Sequence, residues 1–205
     1  GDTDILASSP QRLIAAGVAD LLGKYTALAD WKISTIITGE YICQKIIDLE
    51  YKVIDDLMDN IDGINNRDHK AIENLMYGLI LSGMAIQMVG YSRPASGSEH
   101  HVSHFIEMNV VNEENDALHG EKVGVGTLIA IEEYRRMATL DNVSFCDYTK
   151  FDEKTITEIF GNEQASEIVK ENMKDAAEKV TSGEIDLEKI TKAASYEYTL
   201  SELMK

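Results

Sequence analysis

Prolines are scarce in this 205-residue sequence: it has two, Pro10 and Pro94, and long apolar segments lie between short polar breaks. A proline inside a helix removes a hydrogen bond and clashes with the preceding turn, so its scarcity leaves long helices possible. The apolar residues recur every three to four positions, as they do in helices that bury one face. We find no convincing alternation of the kind that predicts strands. The sequence therefore predicts an all-α fold, a helical bundle.

Five helical segments are predicted ahead of an acidic, amphipathic tail that is also helical. The first segment is expected to have Pro10 at its first helical position, where proline costs no hydrogen bond. The tail, from 151 to 205, is expected to break at Gly161 and Gly183. We expect one domain that comprises a core of roughly 8–140 and this tail. The predicted core helices cover 8–32, 33–58, 68–89, 98–111 and 119–137.

The formal net charge of −17 argues against a nucleic-acid partner, which requires a concentrated basic surface. An anionic substrate would have to be held locally, by a metal or by a few fixed cations. No uninterrupted apolar run approaches the length of a membrane span, and the first residues do not have the pattern of a signal peptide. The two cysteines, Cys43 and Cys146, form no CxxC pair and are expected to be buried or idle thiols in a reducing cytosol.

Three of the five histidines lie in "SRPASGSEHHVSHFIEM", residues 92–108. A helix places His100 and His104 on one face, and a short connection would fold His119 back towards them. Imidazoles and one carboxylate form sites for Zn, Ni or Fe(II), and Asp20 is the candidate carboxylate because it interrupts the apolar run "AAGVADLLG". The alternatives are a solvated histidine face and an Asp20 that pairs with Lys24.

Three segments resemble a known family. They are "SSPQRLIAAGVADLLGKYTALADWK", "SRPASGSEHHVSHFIEM" and "LHGEKVGVGTL", and together they resemble the C-terminal helical domain of the sn-glycerol-1-phosphate dehydrogenases. That superfamily also contains glycerol dehydrogenase, the iron-type alcohol dehydrogenases and 3-dehydroquinate synthase. The resemblance implies that Asp20, His100 and His119 bind a divalent metal, with zinc favoured over nickel or iron. It further implies that His104 is a catalytic, proton-handling residue and that Arg93 contacts the substrate phosphate.

The resemblance also implies an activity. It is the reversible NAD(P)H-dependent reduction of dihydroxyacetone phosphate to sn-glycerol 1-phosphate, a step of phospholipid biosynthesis, by a cytoplasmic homo-oligomer. NAD(H) or NADP(H) would be bound mainly by an N-terminal α/β domain that this sequence lacks. The 205 residues would then be the metal- and substrate-binding half of the enzyme, inactive alone. The glycines of "GEKVGVGTL" have neither the spacing nor the preceding strand of a dinucleotide-binding loop, and we expect them to provide a smooth surface for helix packing.

Other functions stay open. Glycerol dehydrogenase differs in that its substrate carries no phosphate. 3-Dehydroquinate synthase has a glutamate where this chain has Asp20 and a catalytic lysine where it has Gly23, and both differences weigh against it. Two histidines and a carboxylate also occur in Fe(II) oxygenases. Outside the enzymes, the chain would be a helical interaction module whose acidic tail binds a partner.

Overall fold

The computed structural model describes residues 2–107, 116–139, 154–158 and 161–162. Regular secondary structure in these residues is entirely α-helical, which confirms the predicted fold class. Eight helices precede residue 139 in the described part of the chain. They are α1 (Thr3–Ser8), α2 (Gln11–Leu22), α3 (Lys24–Thr38), α4 (Gln44–Asp59), α5 (Ile61–Asn65), α6 (His69–Val89), α7 (Ser98–Glu107) and α8 (His119–Ala138).

The first two predicted helices have wrong boundaries. The predicted helix 8–32 is interrupted at Gly23, where α2 ends and α3 begins. The next helix starts at Gln44 rather than at 33, because Gly39 adopts a left-handed φ of 72° and ends α3. Pro10 is the N-cap of α2 rather than its first helical residue. The short helices α1 and α5 were not predicted, whereas α6, α7 and α8 begin within one residue of their predicted positions.

The core forms where α2, α3, α4 and α6 meet. One apolar cluster joins α2, α4 and α6 through Leu21, Val53 and Leu75, and it extends to α1 and α5. A second cluster surrounds Trp31 of α3 and Ile54 of α4, which are both fully buried. The helices α7 and α8 pack against each other, and α8 also packs along α2. This arrangement brings one end of α2 next to the start of α7 and α8.

Among the described residues, α6 is long and apolar enough to cross a membrane. That property is weak evidence, because the core helix of a soluble protein has the same length and composition. Ala71, Leu75 and Ala85 are buried on α6, which packs against α4. One face of the helix is therefore part of the bundle, and 28% of its most apolar window is buried.

Most of the predicted acidic tail lies outside the described residues. Within it, 154–158 is helical, and Gly161 has a left-handed φ of 79° at the predicted break. Gly183, Cys146 and the predicted continuation of α7 to 111 also lie outside the described residues.

Candidate metal centre

Asp20, His100 and His119 come together from three different helices. The Oδ1 atom of Asp20 on α2 lies 3.5 Å from Nε2 of His100 on α7 and 3.9 Å from Nε2 of His119 on α8. One ligand atom from each residue lies within 4.8 Å of the other two. His100 is buried, Asp20 is half-buried and His119 is more exposed, so the cluster opens to solvent at one side.

Glycines let α8 approach the other two helices closely enough to form this cluster. A Cβ atom on Gly120 would lie 1.9 Å from the carbonyl oxygen of Ala16, and one on Gly126 would lie 2.2 Å from the carbonyl oxygen of Glu99. Neither position can carry a side chain without moving backbone. These contacts confirm that the glycines of "GEKVGVGTL" provide a surface for helix packing, and Gly120 places the neighbouring His119 beside α2.

An ion pair fixes the start of α8. The Nε and Nη2 atoms of Arg12 on α2 donate to the carboxylate of Glu121 at 2.6 and 2.8 Å. The same carboxylate accepts a hydrogen bond from the backbone N–H of Leu118, which caps the helix. Arg12 lowers the pKa of Glu121 to about 2. Sequence reasoning missed this pair, because nothing local relates residues that lie so far apart in the chain.

The start of α7 is fixed by Asp30 of α3. One carboxylate oxygen accepts a hydrogen bond from the backbone N–H of Ser98 at 2.5 Å, and the other accepts one from the hydroxyl of Tyr134 on α8. An acceptor at this position satisfies one of the free N–H groups at a helix N-terminus. Asp30 therefore ties α3, α7 and α8 together two residues before His100.

Lys24 is the cation nearest to Asp20. Its buried ammonium lies 3.3 Å from Oδ1 of Asp20, so the ion pair considered from sequence is present as well as the histidine cluster. Burial would raise the pKa of Asp20, but the interactions with His100 and Lys24 outweigh it and lower that pKa to about 2. For His100, burial acts to lower the pKa, and the two neighbouring carboxylates more than compensate and raise it.

Each histidine of the cluster has a second carboxylate at its other ring nitrogen. Oε1 of Glu99 lies 2.8 Å from Nδ1 of His100, and Oε1 of Glu107 lies 3.0 Å from Nδ1 of His119. Sequence reasoning did not find either contact. The only signal for Glu99 was its position next to His100, and no signal related Glu107 to a histidine on another helix.

His104 lies beside the cluster and outside the set of converging ligand atoms. Its exposed ring has its centroid 6.0 Å from that of His100 and 6.3 Å from that of His119. It therefore faces solvent at the open side, where a substrate would approach. His69 on α6 is exposed and pairs with Asp4.

Arg93 lies in a separate cavity of about 310 Å³, whose lining includes Ser34, Ser98 and His101. Its guanidinium is engaged there: Nε lies 2.9 Å from Oε1 of Glu40, and Nη2 donates to the hydroxyl of Ser34 at 3.0 Å. A phosphate at this position would compete with the carboxylate of Glu40. The structure thus brings together four of the five predicted site residues, and the fifth, Arg93, lines a cavity whose lining includes none of those four.

The residues of the cluster fit a divalent metal. Two imidazole nitrogens and a carboxylate oxygen are the donor set of catalytic sites that leave coordination positions open, and Zn, Ni and Fe(II) accept such ligands. Both imidazoles turn Nε2 towards Asp20 and engage Nδ1 elsewhere, as is usual for metal-binding histidines.

No family model matches the chain. It is 42% identical over 137 residues to a protein of Bacillus licheniformis named glycerol-1-phosphate dehydrogenase (NAD(P)+), a match that covers 66% of this chain and 34% of that protein. Proteins of the same name match from Bacillus subtilis, at 36% over 144 residues, and from Methanosphaerula palustris, at 41% over 128 residues. By sequence, the chain is a homologue of the glycerol-1-phosphate dehydrogenases. The resemblance found in three segments is thereby confirmed.

The match lies in the C-terminal part of those glycerol-1-phosphate dehydrogenases, and the chain spans about a third of their length. The match with the Bacillus subtilis relative covers 70% of this chain, and the match with the Methanosphaerula palustris relative covers 62% of it. Their names indicate oxidoreductases that use a nicotinamide cofactor. The helical fold described above is consistent with one domain of such an enzyme.

Proposed function

We propose that this chain is the metal- and substrate-binding part of an NAD(P)-dependent sn-glycerol-1-phosphate dehydrogenase, which interconverts dihydroxyacetone phosphate and sn-glycerol 1-phosphate. The observation that carries the proposal is the convergence of Asp20, His100 and His119 within 4.8 Å in a homologue of glycerol-1-phosphate dehydrogenase. The nicotinamide would be bound mainly by a part of the enzyme outside this chain. We further propose that the enzyme is cytoplasmic and homo-oligomeric.

Asp20, His100 and His119 would hold the metal, which we propose to be zinc. When bound, a divalent metal acts as a Lewis acid that polarises a carbonyl and stabilises developing negative charge on its oxygen. Asp20 is suited to its part because its low pKa keeps the carboxylate ionised across the physiological range. The buried His100 and the half-buried Asp20 restrict water on one side, and the exposed His119 leaves the other side open for a substrate.

His104 would handle the proton. Hydride transfer to the ketone leaves an alkoxide, and an imidazole beside it donates a proton, either directly or through one water. His104 is exposed on the open side of the cluster, one helical turn after His100, so its ring is accessible to both substrate and solvent. In the reverse direction the same ring would accept the proton from the alcohol.

Arg93 is the proposed contact with the substrate phosphate. A guanidinium binds phosphate through two parallel hydrogen bonds. Because the chain has a net charge of −17, a phosphorylated substrate needs such a cation close to it. The pair with Glu40 would have to open for this contact. That pair is also the observation that favours the second candidate, glycerol dehydrogenase, whose substrate carries no phosphate. The ratio of activities on dihydroxyacetone phosphate and dihydroxyacetone separates the two candidates.

The test is metal content measured by elemental analysis after exhaustive dialysis, on the 205-residue chain and on His100→Ala. We expect about one divalent metal per chain, lost in the variant. The matched control is His69→Ala, which removes an exposed histidine that pairs with Asp4. Activity is then assayed after the N-terminal part of the Bacillus licheniformis relative is joined to this chain. A chain that binds no metal, or a His100→Ala variant that keeps it, would refute the proposed site.

A further inference from the structure

A histidine has two ring nitrogens, and only the unprotonated one can bind a metal. The hydrogen bond at the other nitrogen decides which one that is, because an acceptor there retains the proton. A site that uses Nε2 of two histidines therefore needs an acceptor at each Nδ1. Among the described residues of this chain, two carboxylates lie at these positions.

Glu99 is the better fixed of the two. Its side chain is fully buried, and burying a carboxylate is costly unless hydrogen bonds satisfy it. Oε1 accepts from the backbone N–H of Gly97 at 2.8 Å and lies 2.8 Å from Nδ1 of His100, and Oε2 accepts from the hydroxyl of Thr26 at 2.6 Å. These contacts hold the carboxylate in one orientation.

Glycines on two elements make room for that carboxylate. A Cβ atom on Gly97 would lie 3.1 Å from Oε2 of Glu99, and one on Gly23 would lie 3.2 Å from its Cγ. A side chain at either position would therefore crowd Glu99. Gly23, where the otherwise continuous helical pattern breaks between α2 and α3, therefore packs against the Glu99 side chain.

Glu107 makes the same contact from the more exposed side. Its Oε1 atom lies 3.0 Å from Nδ1 of His119 and 3.6 Å from Nζ of Lys122. The side chain of Glu107 is 30% exposed, whereas that of Glu99 is not exposed at all. The two carboxylates thus occupy equivalent positions behind the two histidines, with different degrees of burial.

We propose that Glu99 and Glu107 are positioning residues that retain the Nδ1 protons of His100 and His119 and direct both Nε2 atoms towards Oδ1 of Asp20. This inference rests on the metal centre of the proposed function. It adds two residues that do not touch the metal and that set its affinity through the histidines. The buried Glu99 should matter more than Glu107, because solvent can replace an exposed hydrogen bond.

The experiment measures Zn²⁺ affinity by chelator competition on the 205-residue chain and on Glu99→Leu, Glu99→Gln and Glu107→Leu. Loss of such a partner typically weakens metal affinity about 10- to 100-fold, and we expect Glu99→Leu to lie in that range. Glu99→Gln keeps an acceptor without the charge and should fall in between. Glu73→Leu is the matched control: it removes an exposed carboxylate of α6 that pairs with Lys70, so zinc affinity should stay near wild type.

A second readout separates positioning from general destabilisation. In the metal-free chain, at a pH high enough for the imidazoles to be neutral, long-range ¹H–¹⁵N spectra report which nitrogen carries the proton. We expect Nδ1 to be protonated for His100 in wild type and in Glu73→Leu, and the population to shift towards Nε2 in Glu99→Leu. Glu99→Leu is uninformative if it loses its helical circular dichroism. The test is then Glu107→Leu, at the more exposed position, in which the proton of His119 should shift from Nδ1 towards Nε2.

The outcomes are distinct. Zinc affinity and imidazole spectra that are equal in wild type and in both leucine variants would overturn this inference and leave the metal centre intact. A wild-type chain that binds no zinc would overturn the metal centre and this inference with it. Weaker binding without a change of protonated nitrogen would assign the glutamates a structural role only and would also overturn it.

Discussion

Oδ1 of Asp20 lies 3.5 Å from Nε2 of His100, across the contact between α2 and the start of α7. An acidic residue in an apolar helix segment is costly to bury, and here it has a lysine and two histidines as partners. These interactions with Asp20 therefore stabilise the arrangement even when no metal is bound.

Asp20→Asn should abolish stoichiometric metal binding. The substitution keeps the shape of the side chain and removes the negative charge that a divalent cation requires. It also removes the carboxylate that pairs with the buried ammonium of Lys24, so we expect a lower melting temperature. The measurement is zinc content after dialysis, with the melting temperature recorded alongside. Asp55→Asn, at an exposed position of α4, is the control and should change neither quantity. Full zinc content in Asp20→Asn would contradict the assignment.

The residues of the cluster could be singled out from sequence because each has a local signal, whereas their convergence was implied by the resemblance to the glycerol-1-phosphate dehydrogenases. His100 and His104 are one turn apart in any helix, His119 starts the next helix, and Asp20 interrupts an apolar segment. The helix boundaries at Gly23 and Gly39 were not predictable in this way, because the apolar periodicity continues across both glycines. Where a helix ends at a glycine depends on the backbone conformation of that glycine in the folded chain, and the apolar periodicity carries no information about it.

The carboxylates behind the histidines were missed for a related reason. Glu107 reaches His119 only because α7 and α8 pack against each other, and Arg12 reaches Glu121 only because α8 packs along α2. A charged residue on an amphipathic helix is by default a solvated one. Such contacts between distant residues follow from the packing of the helices, which a single sequence does not specify.

Gly120→Ala should destabilise the chain and weaken its zinc affinity. The added methyl group would lie 1.9 Å from the carbonyl oxygen of Ala16, so α8 has to move away from α2 and take His119 with it. Overpacking of this kind costs about 1–3 kcal/mol. The measurements are urea unfolding and chelator competition.

Gly83→Ala is the matched control for that substitution. Gly83 is exposed on α6, and a Cβ atom there meets nothing within 4 Å. Alanine in a helix interior is more favourable than glycine by about 0.5–1 kcal/mol, so this variant should be slightly more stable with unchanged zinc affinity. A Gly120→Ala variant that behaved like Gly83→Ala would contradict the close contact between α8 and α2.

His104→Ala and His119→Ala should separate catalysis from metal binding. His119 contributes a ligand atom to the cluster and His104 does not, so only His119→Ala should lose the metal. In the enzyme reconstituted with the N-terminal part of a relative, His104→Ala should lower kcat by roughly 100-fold or more, the usual contribution of a general acid. His69→Ala, which changes an exposed histidine that pairs with Asp4, should leave kcat unchanged. Loss of metal from His104→Ala would make that residue a ligand.

Glu50 should make the stability of the chain fall as the pH rises. Its side chain is fully buried on α4, and burial raises its pKa from the ordinary 4.5 to about 7, although the ammonium of Lys24 acts in the opposite direction. Between these two pH values the unfolded chain releases the proton and the folded chain keeps it, so the free energy of unfolding decreases with pH. Below about pH 4.5 both states are protonated and this contribution to stability is fully present; it is lost as the pH rises through about 7.

Glu50→Gln tests that pH dependence. The amide stays neutral, so the variant should be more stable than wild type at pH 8, by up to about 3 kcal/mol, and nearly equal to it at pH 5. Urea unfolding at the two pH values measures the difference. The control is Glu73→Gln, at an exposed position of α6 where the carboxylate pairs with Lys70, and its effect should be small at both pH values. A Glu50→Gln variant that lost stability equally at both pH values would show that the ionised carboxylate is needed in the fold, as a partner for Lys24.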